Sequence, residues 1–297
     1  MKKLICVMLT VILCLSLFAG CGAKADDGII NVAIVQQLDH SSLDEIRLAA
    51  QAEIDRIAVE KGVKVEYKHF NGQNDTSILA QIGTQVVADG YDLILPIATL
   101  AAQYAVTAAE GKNIPIVYAA VSDPETAGLT GMSHVTGVSD ALNTPFILDM
   151  MLSAQPDVQC VGLLYSNSEI NSATPIAEAK AYLDAKGIAY LEKTGNTTGE
   201  IVEAAASLVG RCDAVFTPTD NVVMAAEASV AELLNASGIA HYTGADSFVQ
   251  SGAFTTCGVN YTELGTKSAD IAFDILMGGE IGEFVVMDGG IITVNTD

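Results

Sequence analysis

The feature that most constrains the fold is an α/β pattern that the chain runs through twice. Short apolar runs rich in β-branched residues alternate with longer amphipathic stretches in both halves. Strands that alternate with helices are typical of βαβ units, which build parallel sheets. The strand-like runs are 31–35, 63–69, 93–97, 115–120 and 134–138, and then 161–165, 189–193, 214–217, 240–244 and 254–259. The helical stretches are 42–60, 76–89 and 100–110, and then 175–186, 200–209, 222–236 and 262–277.

The two halves behave as an internal repeat. They align at an offset of about 121 to 130 residues, with local slippage. Turn residues agree as well, since the Lys-Gly pair at 61–62 corresponds to the Lys-Gly pair at 186–187. We therefore predict an α/β protein with two similar lobes, each a doubly wound parallel sheet, joined by a hinge. At 297 residues the chain is long enough for two domains.

Ligands of such sheets bind beyond the carboxyl ends of the strands, on the loops that follow them. In this chain those loops are rich in Ser, Thr, Asn, Gln and Asp, which form directed hydrogen bonds. The same residue types also cap helices and form turns, and Thr76, Ser77 and Ser122 fit that role. The loops begin at 36–40, 70–73, 98–101 and 121–124 in the first half, and at 166–169, 194–196, 219–221 and 245–247 in the second.

Two of these loops indicate a binding site for a zwitterion. The stretch 98–102 places the Thr99 hydroxyl and free backbone N–H groups at the start of a helix, where a carboxylate binds well. At the equivalent place in the second half, Asp220 offers a carboxylate that can accept from an ammonium or hydroxyl group. Asp246 is a second candidate for the ammonium. A plain helix cap is an equally good interpretation of Asp220.

Other side chains near the strand ends offer flat surfaces to a ligand: His40, Phe70, Tyr165 and Phe248. Taken singly, such residues more often belong to the core or the rim of a site. His40 has no second histidine at ligand spacing, so we expect no metal site. The motifs of serine hydrolases, phosphate-binding loops, zinc proteases and dithiol redox enzymes are absent from the sequence. No catalytic residue and no cofactor is therefore expected.

The first residues predict the compartment. Two lysines and an apolar stretch at 4–18 precede a small-residue pair and Cys21, which is the layout of a secretory signal peptide. The apolar stretch is short for a transmembrane helix. A small-residue pair directly before a cysteine resembles a bacterial lipobox, so we predict a signal peptide at 1–20, lipid on Cys21 and a tether at 21–29. An uncleaved N-terminal anchor, or an ordinary signal peptide cut near Ala25, remains an alternative.

The net charge argues against nucleic acids and anionic lipid headgroups as partners. Acidic residues number 36 against 14 basic ones, a net charge of −22. Such a surface repels nucleic acids and anionic headgroups, so membrane attachment is expected to come from the lipid alone.

The cysteines beyond Cys21 indicate no metal site. Cys160, Cys212 and Cys257 lack metal-type spacing, and buried thiols are the favoured interpretation, although a disulfide between two of them stays open.

Six blocks in order carry a family resemblance: AIVQ at 33–36 with His40, IATLAAQ at 97–103, IPIVYAAVSDP at 114–124, TGVSD at 136–140, YSNSEINS at 165–172 and PTDN at 218–221. Together they resemble the substrate-binding proteins of ABC transporters of the tryptophan/tyrosine type, from about residue 31 to residue 279. His40 is followed by Ser41, where relatives tend to have proline, so the first loop is expected to differ in shape.

The resemblance implies a type I periplasmic-binding-protein fold with three crossings between the lobes. Lobe 1 is then expected to take 30–140 plus about 261–280, and lobe 2 to take 141–260 plus about 281–297. The ligand contacts that match the family's motifs are Thr99, Ala101, Ser122, Asp123, Asp140, Asn171, Asp220 and Asp246. The resemblance also implies an ABC permease and ATPase as partners, and it associates the chain with aromatic amino acids.

The sequence thus predicts a monomeric solute-binding lipoprotein of an ABC importer, held at the outer face of the cell membrane through Cys21. We expect an amino acid as ligand. Thr99 and Ala101 are expected to bind its carboxylate, and Asp220 or Asp246 its ammonium. A sugar- or nucleoside-binding lipoprotein of the same fold is an alternative, although the chain lacks the tryptophans that often sandwich a sugar ring. A surface lipoprotein that senses its ligand is another, and an enzyme is the least supported.

Overall fold

The structure, a computed structural model, describes residues 28–296. The first half contains β1 (Ile29–Gln36), α1 (Ser41–Lys61), β2 (Lys64–Asn71), α2 (Thr76–Asp89), β3 (Leu93–Ile97), α3 (Thr99–Ala108), β4 (Ile116–Ala119) and β5 (Val135–Ser139). The second half contains α4 (Thr144–Ala154), β6 (Cys160–Tyr165), a 3₁₀ turn (Ile170–Ser172), α5 (Ala173–Lys186), β7 (Ala189–Thr194), α6 (Thr198–Ala206), β8 (Ala214–Thr217), α7 (Asn221–Ala236), β9 (Ala240–Thr243), α8 (Asp246–Gln250) and β10 (Thr255–Gly258). The chain ends with α9 (Tyr261–Leu276), β11 (Val285–Val286) and β12 (Ile291–Val294).

Two six-stranded sheets have equivalent strand orders. The strand orders are β2-β1-β3-β4-β5-β11 and β7-β6-β8-β9-β10-β12. The pairs are parallel, except that β12 runs antiparallel to β10. All ten strand-like runs of the sequence coincide with observed strands, which confirms the predicted α/β class with two doubly wound sheets. Central strands such as β3 and β4 are buried along their whole length, as expected of parallel strands covered by helices on both faces.

The chain passes between the two sheets three times. It leaves the first lobe after β5, returns after β10 to form α9, which packs along α1, and leaves again after β11. The last crossing differs from the predicted division, which gave 281–297 to the second lobe. Val285 and Val286 pair with β5, so β11 extends the first sheet, and only β12 belongs to the second.

The predicted signal peptide at 1–20, Cys21 and most of the tether lie outside the described residues. Within 28–296, no helix combines the length and apolar character that a membrane crossing requires. Cys160, Cys212 and Cys257 are free thiols, and the last two are buried.

Candidate functional site

A small cavity lies between the lobes, where the carboxyl ends of the two sheets meet. This is the position at which open α/β sheets bind ligands. The first lobe lines it with His40, Ser42, Leu43, Ala98, Ala120, Ser122, Asp140 and Tyr261. The second lobe contributes Asn171, Thr219, Asp220, Asn221, Met224, Ala245 and Phe248.

Two alanines in the wall of this cavity have unusual backbone conformations. Ala98 follows β3 with a φ of 75°, and Ala120 follows β4 with a φ of 55°. A residue with a Cβ is strained at such angles by about 1 kcal/mol or more, and strain of this kind clusters at ligand sites. Because both side chains are small, the two turns bring backbone close to the cavity without filling it.

Asp140 is a buried carboxylate that faces the cavity without a counter-charge. Its Oδ1 accepts from the Ser122 hydroxyl at 2.9 Å, and its Oδ2 accepts from the Tyr261 hydroxyl at 3.3 Å. Only 4% of Asp140 is exposed, and this burial raises the pKa of its carboxyl group. Among the residues that the structure describes, no lysine or arginine forms an ion pair with it. A ligand ammonium would supply the missing positive charge.

Asp220 also lines the cavity, but its oxygens are already in use. It is the N-cap of α7, where Oδ1 accepts from the N–H groups of Val222 and Val223. Its Oδ2 accepts from the Ser166 N–H and the Ser172 hydroxyl, both at 2.7 Å. Of the two interpretations that the sequence left open for Asp220, this geometry is that of a helix cap.

The start of α3, predicted to hold a carboxylate, is partly occupied by a side chain. The Leu100 N–H donates to Oε1 of Gln37 at 3.1 Å. The Thr99 hydroxyl is buried and has no hydrogen-bond partner, so it is the unused donor at this helix end. Ala101 is fully buried behind it.

Four of the eight predicted contacts lie outside the cavity lining: Thr99, Ala101, Asp123 and Asp246. Asp123 accepts from the N–H and hydroxyl of Thr126, and its Oδ2 also accepts from Thr174 of the other lobe at 2.6 Å. Asp246 is the first residue of α8, half-buried, and its Oδ1 has no hydrogen-bond partner. The remaining predicted contacts, Ser122 and Asn171, line the cavity.

Of the four flat side chains near the strand ends, two reach the cavity. His40 and Phe248 line it. Phe70 instead packs edge-on against Tyr91, and the Tyr165 hydroxyl donates to Glu192 on the neighbouring strand.

Direct hydrogen bonds join the two lobes around the cavity. The Ser122 and Thr219 hydroxyls are 3.0 Å apart, and Thr174 contacts Asp123 as described. Further pairs across the cleft are Gln37 with Glu169 at 2.6 Å, His40 with Asn221 at 3.0 Å, and Ser42 with Ser247. The lobes are therefore in a closed arrangement.

Sequence reasoning missed several residues of the site. Gln37 and Glu169 lie in loops that the strand pattern identifies, but no spacing distinguishes them from capping residues. Glu169 is buried beside Asp220, and burial together with that neighbouring carboxylate raises its pKa to about 7. Tyr261 reaches Asp140 from α9, a helix distant in sequence, and no sequence signal marks that contact.

Comparisons with known proteins agree with this geometry. The profile of the family described as ABC transporter substrate binding protein matches residues 31–296. A tyrosine-binding protein from Clostridioides difficile (strain R20291) is 29% identical over 315 residues, which cover 100% of this chain and 91% of that protein. A domain from Streptococcus pneumoniae in complex with L-Trp is 28% identical, with a TM-score of 0.83 over 89% of this chain and 91% of that one.

A third relative resembles this structure less, despite similar identity. It is the ligand-free, open form of a substrate-binding protein with adhesive properties from Clostridium difficile. It is 30% identical over 90% of this chain and 92% of that one, but its TM-score is 0.67. A rigid-body opening of two lobes lowers the overall match without changing either lobe. The higher TM-score with the L-Trp complex than with the open form agrees with the closed arrangement of the lobes.

The family profile and the relatives lead to the same assignment as the six sequence blocks, and the expected type I periplasmic-binding-protein fold is confirmed. Proteins of this kind bind a solute on the extracytoplasmic side and catalyse no reaction, which agrees with the expectation of a binding protein rather than an enzyme. The chain belongs to the family of ABC transporter substrate binding proteins.

Proposed function

We propose that this protein binds an amino acid with an aromatic or otherwise apolar side chain in the interlobe cavity and delivers it to an ABC importer. The observation that carries the proposal is Asp140, a buried carboxylate in the cavity wall with two neutral hydroxyl donors and, among residues 28–296, no cation paired with it. An amino acid places an ammonium against Asp140 and restores charge balance at this buried carboxylate.

The rest of the cavity suits the other parts of such a ligand. Leu43, Met224 and Phe248 form an apolar wall for a side chain. Beside the lining residue Ala98, the unpartnered Thr99 hydroxyl at the start of α3 is our candidate donor for the carboxylate, although Thr99 itself lies outside the lining; the partial positive charge of the helix end supports it. Tyrosine and tryptophan are the ligands named for two relatives with about the same identity to this chain.

Closure is the step that would signal the bound state to the transporter. The direct contacts between the lobes form only when the cleft is shut, and a ligand that bridges the lobes shifts the population toward that form. The closed protein then presents one continuous surface to the permease. We further propose that it acts as a monomer, anchored to the outer face of the cell membrane by lipid on Cys21 after removal of the signal peptide at 1–20.

Calorimetric titration of the purified protein tests the ligand assignment. We expect L-tyrosine or L-tryptophan to bind with 1:1 stoichiometry and with a negative heat-capacity change, because apolar surface is buried. Glucose and adenosine serve as controls for the sugar and nucleoside alternatives. Binding of either control, or of none of the twenty amino acids, would overturn the assignment.

A further inference from the structure

A chain of buried side chains runs across the cleft from α3 to His40. Its first member, Gln37, has a defined orientation because the Leu100 N–H can only donate, so the atom that faces it must be Oε1. The Gln37 amide nitrogen therefore points the other way, and donates to Asn74 at 2.9 Å and to Oε1 of Glu169 at 2.6 Å. One oxygen of Glu169 is thus always an acceptor.

The second oxygen of Glu169 determines the orientation of the next member, Asn221. When Glu169 is ionised, Oε2 accepts from the Asn221 amide nitrogen at 2.6 Å. The Asn221 oxygen then faces Nε2 of His40 at 3.0 Å, so this nitrogen must carry a proton. A neutral imidazole has one donor and one acceptor, and Nδ1 of His40 is consequently a bare acceptor.

A proton on Oε2 of Glu169 reverses the direction of the hydrogen bonds from Glu169 through Asn221 to His40. The carboxyl group now donates to the Asn221 oxygen, and the amide must turn by half a rotation. The Asn221 nitrogen then donates to Nε2 of His40, which gives up its proton, while Nδ1 takes one up. Glu169 gains one proton in total, and His40 stays neutral but changes tautomer.

Nδ1, the His40 atom that changes between acceptor and donor, has no partner in the part of the chain that the structure describes. Nδ1 of His40 is buried without a hydrogen bond, and His40 lines the cavity. An unpartnered buried ring nitrogen in a binding cavity marks a place where the ligand supplies the other half of a hydrogen bond.

The charges around the two titratable groups favour this exchange near neutral pH. Glu169 is buried with Asp220 beside it, and its pKa is raised to about 7. Burial lowers the pKa of His40, although Asp44 and Asp39 oppose the shift, and Asp44 is itself paired with Arg47. The other carboxylate in the cavity wall is Asp140. Because the pKa of His40 is lowered and that of Glu169 is raised, Glu169 takes up its proton before His40 does as the pH falls.

We propose that Glu169, acting through Asn221, sets whether His40 presents an acceptor or a donor to the ligand. Glu169 and Asn221 are positioning residues, and His40 is the residue that contacts the ligand. With Glu169 ionised, His40 selects an N–H or O–H donor of the bound molecule. The inference deepens the proposed function and rests on it only for the identity of that molecule.

The Glu169→Gln variant imitates the protonated state. Gln37 still requires an acceptor at Oε1, so the new amide nitrogen occupies the other position and donates to Asn221. Two-bond ¹H–¹⁵N correlations distinguish histidine tautomers, and the His40→Ala variant identifies the His40 signals. In the closed wild-type protein we expect the Nε2–H tautomer at pH 8.5 and the Nδ1–H tautomer at pH 5.5. In Glu169→Gln we expect the Nδ1–H tautomer at both pH values.

The route from Glu169 through Asn221 to His40 is called the relay below. A matched control separates the relay from a general effect of weaker contacts between the lobes. Asp123→Asn weakens another contact between the lobes, with Thr174, and should leave the His40 tautomer and its pH dependence as in the wild type. The same tautomer in wild type and Glu169→Gln at pH 8.5 would overturn the relay. His40→Ala should weaken amino-acid binding about tenfold, as loss of one buried hydrogen bond does, and unchanged affinity would overturn the ligand contact.

The closed state can be prepared in two ways. A failure of the tautomer switch can therefore be told apart from a failure of the ligand assignment. One preparation is saturated with amino acid. The other joins the lobes by a disulfide in the Ser42→Cys/Ser247→Cys variant, since these two hydroxyls touch across the cleft. A tautomer switch in the cross-linked protein without any amino-acid binding would uphold the relay and reject the ligand assignment.

Discussion

Asp140→Asn is expected to lower the affinity for the amino acid about 100-fold, which corresponds to about 2.7 kcal/mol. The substitution keeps the shape of the side chain and lets Oδ1 still accept from Ser122, while the amide nitrogen takes the place of Oδ2 and donates to the Tyr261 hydroxyl, which must turn. It removes the negative charge that an ammonium requires in a buried site. Calorimetry of wild type and variant with the same amino acid measures the change.

The same substitution should make the ligand-free protein more stable. Burial raises the pKa of Asp140 above its value in the unfolded chain. For a group with a raised pKa, the stabilising contribution is complete below the unfolded pKa and is lost as pH rises through the folded pKa. The wild type therefore carries an unfavourable buried charge at pH 8 that asparagine lacks. Denaturant unfolding should show a larger gain for the variant at pH 8 than at pH 4.

An exposed aspartate provides the control for both effects. Asp184→Asn, near the end of α5, removes the same charge far from the cavity and should change neither affinity nor stability by more than about 0.5 kcal/mol. If Asp140→Asn bound the amino acid as tightly as wild type, Asp140 would not be the ammonium partner.

Asp220→Ala is expected to destabilise the protein by about 3 to 5 kcal/mol, because buried donors lose their acceptor. These donors are the N–H groups of Val222, Val223 and Ser166 and the hydroxyl of Ser172. The helix α7 also loses its N-terminal cap, and this helix carries Asn221 and Met224 into the cavity wall.

Asp75→Ala is the matched comparison for Asp220→Ala. Asp75 caps α2 in the same way, with Oδ1 accepting from Ser77 and Ile78, but it lies at the exposed surface. Water replaces its hydrogen bonds, so we expect a loss of about 1 kcal/mol. Urea unfolding of the two variants checks the difference. Equal losses, together with abolished ligand binding in Asp220→Ala, would assign Asp220 to the ligand instead of to the cap.

The strands and most helices could be predicted because their signals are local. Apolar runs, Gly stops and Asp caps recur in both halves, so the repeat supports each assignment. Several elements escaped, among them α4, the five-residue α8 and β11. The helix α4 is apolar on most sides, which weakens its helical period, and β11 is only two residues long. The position of β11 in the first sheet depends on where the last crossing occurs, and no local pattern encodes it.

The site was predictable one lobe at a time but not across the cleft. The rule for strand ends led to Asp220, and the family's motifs added Ser122, Asp140 and Asn171; all four line the cavity. Whether an aspartate there caps a helix or stays available depends on its neighbours in space. The contacts of Gln37 with Glu169 and of Tyr261 with Asp140 join segments far apart in sequence. Such pairs follow from the relative position of the lobes, which a sequence pattern does not contain.

A crystal structure of the protein with the amino acid that binds in calorimetry tests the central claim most directly. We expect one molecule between the lobes, with its ammonium nitrogen within about 3.2 Å of the Asp140 carboxylate. Its side chain should pack against Met224 and Phe248. The lobes should remain closed around it. An amino acid bound outside this cavity, or one bound there with its ammonium away from Asp140, would contradict the account.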